Sequence, residues 1–170
     1  MTTSPVNPTG AELLRSPLLM LAFGFGSGLS PRAPGTAGSL VALFFWPLLL
    51  LLPSTQLWLL LVVGSIAGIA ICGLAAKQLG VHDHGGIVWD EFIGLWLALA
   101  LLPATLPSVL LGFVLFRVFD IAKPWPISWC DKRIDGGFGI MLDDIIAGLF
   151  AGGVGHGLLV ALALWNPSAG

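Results

Sequence analysis

The chain has 170 residues, of which 56% are hydrophobic and 9% charged, with a formal net charge of -2. Soluble domains carry roughly 25% charged residues, so this composition excludes an ordinary water-soluble domain and points to a membrane protein. A slightly acidic balance with no basic tract and no zinc-finger spacing also excludes nucleic acid as a partner.

In chain order, residues 1–10, "MTTSPVNPTG", read as a flexible tail, and residues 11–170 as a single membrane-embedded domain. Ala11 to Leu29 is apolar from Pro17 onward but glycine-rich in "FGFGSGLS". That pattern predicts an interfacial or re-entrant helix, because irregular backbone is not tolerated in lipid unless protein covers it. Five apolar segments follow: Thr36 to Leu52, Gln56 to Ala76, Phe92 to Leu102, Leu106 to Phe119, and Ile145 to Trp165. The third and fourth are short for a hydrocarbon core of about 30 Å, so polar ends or tilt must make up the length. The expected fold is all-α, a polytopic helical bundle of about five crossing segments. The 23 glycines and 12 prolines fit close helix contacts and broken helices. Cys72 and Cys130 have no pairing pattern, and no disulfide is expected.

Threading these segments alternately through a bilayer puts every Lys and Arg on one side or its edge: Arg15, Arg32, Lys77, Arg117, Lys123, Lys132 and Arg133. The opposite loops, "PSTQ" and "PATLP", and the tail "NPSAG" contain no charged side chain. By the positive-inside rule the charged side is the cytoplasm. All nine acidic residues fall there too, several of them at helix ends, where charge is costly in lipid and usually faces a bundle interior or an aqueous cleft. The tryptophans at 46, 58, 125, 129 and 165 suit membrane interfaces, while 89 and 96 flank an acidic helix start.

Four polar constellations stand on the charged side. In "GLSPRAPGTAGS" the prolines and glycines delay a regular helix until about Thr36, where Thr36 or Ser39 could cap it. Such a helix start suits a phosphate, with Arg32 adding a two-pronged hydrogen bond, and a tight entry turn explains the same residues. In "VHDHGGIVWDEF", His82, Asp83 and His84 could hold zinc, although the pattern is nonspecific and a solvated loop accounts for it. Asp90 and Glu91 occupy the first turn of an apolar helix, a position that dipole stabilisation or metal binding would both explain. In "RVFDIAKPWP", Arg117 and Asp120 are three apart and can pair, and Lys123 follows at the same spacing before Pro124 stops or bends the helix. In "DKRIDGGFGIMLDDIIAG" the glycines predict a sharp turn, after which Asp143 or Asp144 can cap the last helix. Two ionised carboxylates that close repel, and a divalent cation removes that cost. His156 lies twelve residues beyond Asp144, about 18 Å along a helix, and is expected to hydrogen-bond another helix instead of joining the site.

Hard oxygen ligands without a thiolate cluster favour Mg²⁺, which usually works on phosphate substrates. Arg32, Arg117 and Lys123 would supply an electrostatic clamp for phosphoryl transfer. Cys130 is too close to Arg133 to form the phosphate loop of a cysteine phosphatase.

The chain resembles the bacterial phosphatidylglycerophosphatase A family of small inner-membrane enzymes through "SGLSPRAPGTAGSL", "VWDEFIG", "FRVFDIAKPWP" and "GGFGIMLDDIIAG". The resemblance runs from about Gly24 to Gly153, with the four motifs in the family's order. It implies Mg²⁺-dependent hydrolysis of phosphatidylglycerophosphate, an anionic phospholipid, to phosphatidylglycerol and inorganic phosphate at the cytoplasmic face of the inner membrane. Carried over residue by residue, the motifs correspond to Gly35 and Thr36, to Asp90 and Glu91, to Asp120, Lys123, Pro124 and Pro126, and to Asp143 and Asp144. The expected assignment gives the metal to Glu91, Asp120, Asp143 and Asp144, and the phosphate to Arg32, Gly35, Thr36, Arg117 and Lys123. Asp90 can replace Glu91 or act as the base, and the catalytic set is Asp90, Glu91, Asp120 and Asp144.

Two other classes compete. A CDP-alcohol phosphotransferase-like enzyme also uses aspartates and metal, but "IDGGFGIM" lacks the basic end of that family's Asp-Gly-X-X-Ala-Arg element. A small transporter or assembly protein would carry charge toward the opposite loops, which have none.

Overall fold

A computed structural model describes residues 7–81 and 84–165, the last by its backbone alone. His82, Asp83, residues 1–6 of the expected tail and residues 166–170 lie outside the described residues, as does the Trp165 side chain.

The described residues are all-α. Two six-residue helices, α1 (Gly10–Arg15) and α2 (Pro17–Ala22), lead into a short 3-10 segment, Gly24–Leu29. Thr9 caps α1 through a reciprocal capping box with Glu12. Next come α3 (Pro34–Leu49), α4 (Ser54–Leu79), α5 (Trp89–Ala100), α6 (Leu106–Ala122), α7 (Ile127–Arg133) and α8 (Gly136–Trp165). Two stretches, Ser54–Leu79 and Gly136–Leu164, are long and apolar enough to cross a membrane.

The middle of the bundle is α5. Phe92, Ile93, Gly94, Leu95, Trp96, Ala98 and Leu99 are all buried, so this helix is covered on every side, by α3, α4, α6 and α8. A helix that protein surrounds meets no lipid, which is why twelve residues suffice for it. Its two indoles tie it to its neighbours: Trp96 Nε1 donates to Ala42 O at 2.8 Å and Trp89 Nε1 donates to Gly64 O at 3.1 Å. The outer faces are apolar as well. Phe44, Leu59, Val63, Ile66, Val114, Val118, Leu158 and Leu162 are exposed, a surface far too greasy for water and suited to hydrocarbon.

Four sequence expectations are revised. The helix α3 begins at Pro34, with Ala33 in the left-handed region (φ 47°) and no side-chain cap. Ser39, expected as a possible cap, lies inside the helix and donates to Gly35 O at 2.9 Å. The last helix starts at Gly136, nine residues before the predicted Ile145, so Asp143 and Asp144 sit two turns inside it and do not cap it. At Gly137 the neighbouring helix leaves no room for a side chain: a Cβ there would collide with Ile69 O and lie 2.7 Å from Gly73 N on α4. Trp46, expected at an interface, is a core residue. His156 is exposed on α8 and makes no interhelical hydrogen bond among the described residues.

Candidate active site

The site begins with a crossing of two backbones. A Cβ on Gly148 of α8 would collide with Gly94 O of α5 and lie 3.2 Å from Gly94 Cα. A Cβ on Gly94 would in turn lie 2.6 Å from Asp144 O and 2.7 Å from the Phe116 ring. Only glycine allows this approach. Asp90 and Asp144 each lie four residues, one helical turn, before the crossing glycine, and so both come to the point of contact.

The result is a tight carboxylate cluster. Asp90, Glu91 and Asp144 each offer an oxygen within 4.8 Å of the others. Asp144 is 3% exposed, and the buried atoms Glu91 Oε2 and Asp144 Oδ2 have no hydrogen-bond partner. Three hard oxygen donors at this spacing, two with an open buried lone pair, fit a divalent cation such as Mg²⁺. Without one, their mutual repulsion and desolvation go uncompensated.

Beside the cluster, α6 supplies a second layer. Arg117 pairs with Asp120 at 2.6 Å, as the three-residue spacing predicts, and donates to the buried Ser39 Oγ at 3.2 Å. Its Nε is buried without a partner. The start of α3 abuts this layer: a Cβ on Gly35 would collide with Glu91 Oε1 and lie 3.3 Å from both terminal nitrogens of Arg117. At the end of α6, Lys123 adopts the left-handed conformation (φ 40°) and donates to Asp131 of α7 and Asp143 of α8, each at 2.5 Å. Burial pushes the Lys123 ammonium down, but the two hydrogen bonds outweigh it and the net shift is upward, so this side chain stays charged.

A cleft of about 150 Å³ opens above these groups. Among the described residues, Asp90, Glu91, Asp120, Asp131, Asp143 and Asp144 line it with Lys123 and the small or apolar Gly85, Ile87, Gly136 and Gly139. Six carboxylates against one ammonium make a cleft that repels an anion until a cation enters.

Of the ten residues expected from sequence, Asp90, Glu91, Asp120, Lys123, Asp143 and Asp144 line one cleft. Arg117 and Gly35 border it through Asp120 and Glu91. Thr36 is the next residue of α3, and Arg32 is exposed outside the cleft. Asp143 stands apart from the metal-spaced trio, turned to Lys123. His84 is buried against Phe23 and accepts from Gly86 N at 3.0 Å, so this residue of the expected solvated loop is packed, while His82 and Asp83 lie outside the described residues. Sequence reasoning missed Asp131 and Ser39. Asp131 follows Lys123 by eight residues with a cis Trp125–Pro126 bond between, so no helical spacing links them. Ser39 gives the only available signal for its role, a lone hydroxyl one turn after Gly35.

The sequence profile of one family, described as Phosphatidylglycerophosphatase A, matches residues 20–159. A protein of Escherichia coli K12 with that name is 51% identical over 142 residues, 83% of this chain and 83% of its own length. One of Haemophilus influenzae with the same name is 43% identical over 147 residues, 85% of this chain and 90% of its own. A Bacteroides thetaiotaomicron protein, named provisionally as a phosphatidylinositol-3-phosphatase, is 38% identical over 155 residues, 86% of this chain and 93% of its own. No solved structure matches the chain.

Proposed function

The chain belongs to the phosphatidylglycerophosphatase A family, and from that premise we propose that its acidic cleft hydrolyses phosphatidylglycerophosphate to phosphatidylglycerol and inorganic phosphate. One observation carries the reading: carboxylates from α5 and α8 converge within 4.8 Å at a glycine crossing, with a lysine and an arginine beside them.

Glu91 and Asp144 would hold Mg²⁺, with Asp90 as the third donor or as the base, and Asp120 and Asp143 complete the acidic wall. When bound, the cation neutralises the wall and polarises the phosphoryl oxygens. Lys123 spends two of its three N–H donors on Asp131 and Asp143 and keeps the third for a phosphate oxygen. Arg117, fixed by Ser39 and Asp120, contributes a second positive charge where negative charge builds in the transition state. Gly35 and Thr36, in the first turn of α3, have backbone N–H groups without intrahelical partners to offer the same phosphate, and the exposed Arg32, outside the cleft, adds only long-range attraction. Water oxygen attacks phosphorus as the bond from phosphorus to the glycerol oxygen breaks. A carboxylate takes the water proton, and the departing oxygen gains one, which balances phosphatidylglycerol and phosphate.

The protein lies in the inner membrane with α3, α4, α5, α6 and α8 as five crossings and α1 and α2 at the cytoplasmic interface. Two membrane-length helices and a charge distribution confined to one face support this topology. The acyl chains then stay in lipid while the head group enters the cleft.

The test is phosphate release by purified protein from phosphatidylglycerophosphate in micelles without nucleotide, with Mg²⁺ and with a chelator. Release that needs Mg²⁺ is expected. Undiminished release in thorough chelation would sink the metal assignment, and preferential release from phosphatidylinositol 3-phosphate would transfer the site to that lipid.

A further inference from the structure

A second concavity, of about 550 Å³, runs along α4 beside the start of α8. Ile69, Ala70, Gly73 and Leu74 make its wall, Lys77 stands at one end, and Gly136 also lines it. Gly136 also lines the acidic cleft, so the two spaces meet at one residue. That residue has a φ of +73°, and a Cβ there would touch nothing within 4 Å, so no side chain of its own stands between the two spaces. Where α4 and α8 come closest, Gly73 and Gly137 meet without side chains, which sets the floor of the groove at backbone level.

We propose that this groove takes an acyl chain of the lipid whose head group occupies the acidic cleft, and that Lys77 pairs with the phosphodiester between them. The proposal rests on the phosphatase reading above. The terminal phosphate of such a lipid lies one glycerol unit from its diester phosphate, so the molecule needs an anion site, a second cation outside it and an apolar track beyond. The cleft, Lys77 and the groove offer these side by side, with Gly136 lining both spaces. Lys77 is exposed in the last turn of α4, where no ion pair engages it among the described residues and the lipid head-group layer is close. Charge chemistry thus selects an anionic lipid for the groove over a second protein helix.

Ala70 is seven residues from Lys77, about 10 Å along α4, which a hexanoyl chain does not span and a palmitoyl chain does. Ala70→Trp fills the track from an exposed position, outside the core and the cleft. With dipalmitoyl phosphatidylglycerophosphate this variant should raise KM about tenfold, and with the dihexanoyl form KM should stay within about twofold of wild type. Lys77→Gln should weaken both forms about fivefold while leaving phosphatidate, which has a terminal phosphate and no diester, unaffected. Equal KM values for Ala70→Trp and wild type on the dipalmitoyl lipid, or an equal loss on both chain lengths, overturn the groove. Lack of phosphate release by wild type from either form is a failure of the reaction instead. Lipid-dependent thermal stabilisation of the same variants by dipalmitoyl and dihexanoyl phosphatidylglycerol then judges the groove without turnover.

Discussion

Gly94 and Gly148 meet backbone to backbone, and their contact sets the distance between the carboxylates one turn before them. Gly94→Ala would drive a methyl group against Asp144 O and the Phe116 ring. Overpacking of that kind costs about 1–3 kcal/mol and would spread the cluster. The expected outcome is a lower unfolding temperature in detergent and a loss of phosphate release of at least about tenfold. Gly153→Ala, at a position with nothing within 4 Å of the added carbon, should change neither.

Divalent cation should stabilise the folded protein because it binds oxygens that the chain leaves open. Mg²⁺ at a hundred times its dissociation constant adds about 2.7 kcal/mol, visible as a rise in unfolding temperature. Asp144→Asn and Glu91→Gln each remove one buried oxygen charge from the trio. Both should abolish the Mg²⁺-dependent rise and lower activity by about a hundredfold. A full Mg²⁺ response in Asp144→Asn would remove that residue from the ligand set.

Lys123 joins α6 to α7 and α8 through Asp131 and Asp143, so Lys123→Gln leaves two carboxylates without their cation. The ammonium is held above its unfolded value of about 10.4, so its stabilising effect is fully present below that value and fades as pH rises through the folded one. The difference in unfolding temperature between wild type and Lys123→Gln should therefore be constant from about pH 6 to 9 and narrow above about pH 10. A difference that grows with pH would contradict this.

Arg117 reaches both Ser39 and Asp120 through one nitrogen, Nη1, at the tip of a planar, weakly hydrated guanidinium that suits this largely buried place better than a compact, strongly hydrated ammonium. Arg117→Lys should lower kcat/KM more than about tenfold, and Ser39→Ala less. Arg32 is exposed and outside the cleft, so Arg32→Ala should cost less than about threefold. Phosphate release measured side by side for the three variants ranks them.

Much of this site is written in short-range spacing. The Arg117–Asp120 pair follows from three residues on one helix face, and the acidic first turn of α5 follows from Asp90 and Glu91 opening an apolar run. What spacing could not reveal is which helix lies against which. The nine residues missing from the predicted start of α8 are glycine-rich, and glycine lowers helix propensity locally. Their helicity comes from packing Gly137 on Gly73, a tertiary contact that overrides propensity. For the same reason Asp143 and Asp144 read as caps, although they lie well within a helix. The division of labour between the two, one turned to Lys123 and the other to Asp90 and Glu91, depends on neighbours far away in sequence. Lys77, by contrast, was plain as a charge at a helix end, but its place at the mouth of a groove needed the α4–α8 contact to be known.

The 30 residues of α8 extend for about 45 Å, against about 30 Å of fatty-acyl interior in a typical bilayer. Asp144 is eight residues, about 12 Å, from its start, so in the proposed topology this surplus would leave it at head-group depth. So placed, the helix would act as a depth gauge. A thicker membrane would draw the carboxylates toward oil and a thinner one would lift them past the phosphate, so bilayer thickness itself would set how often catalyst and lipid meet.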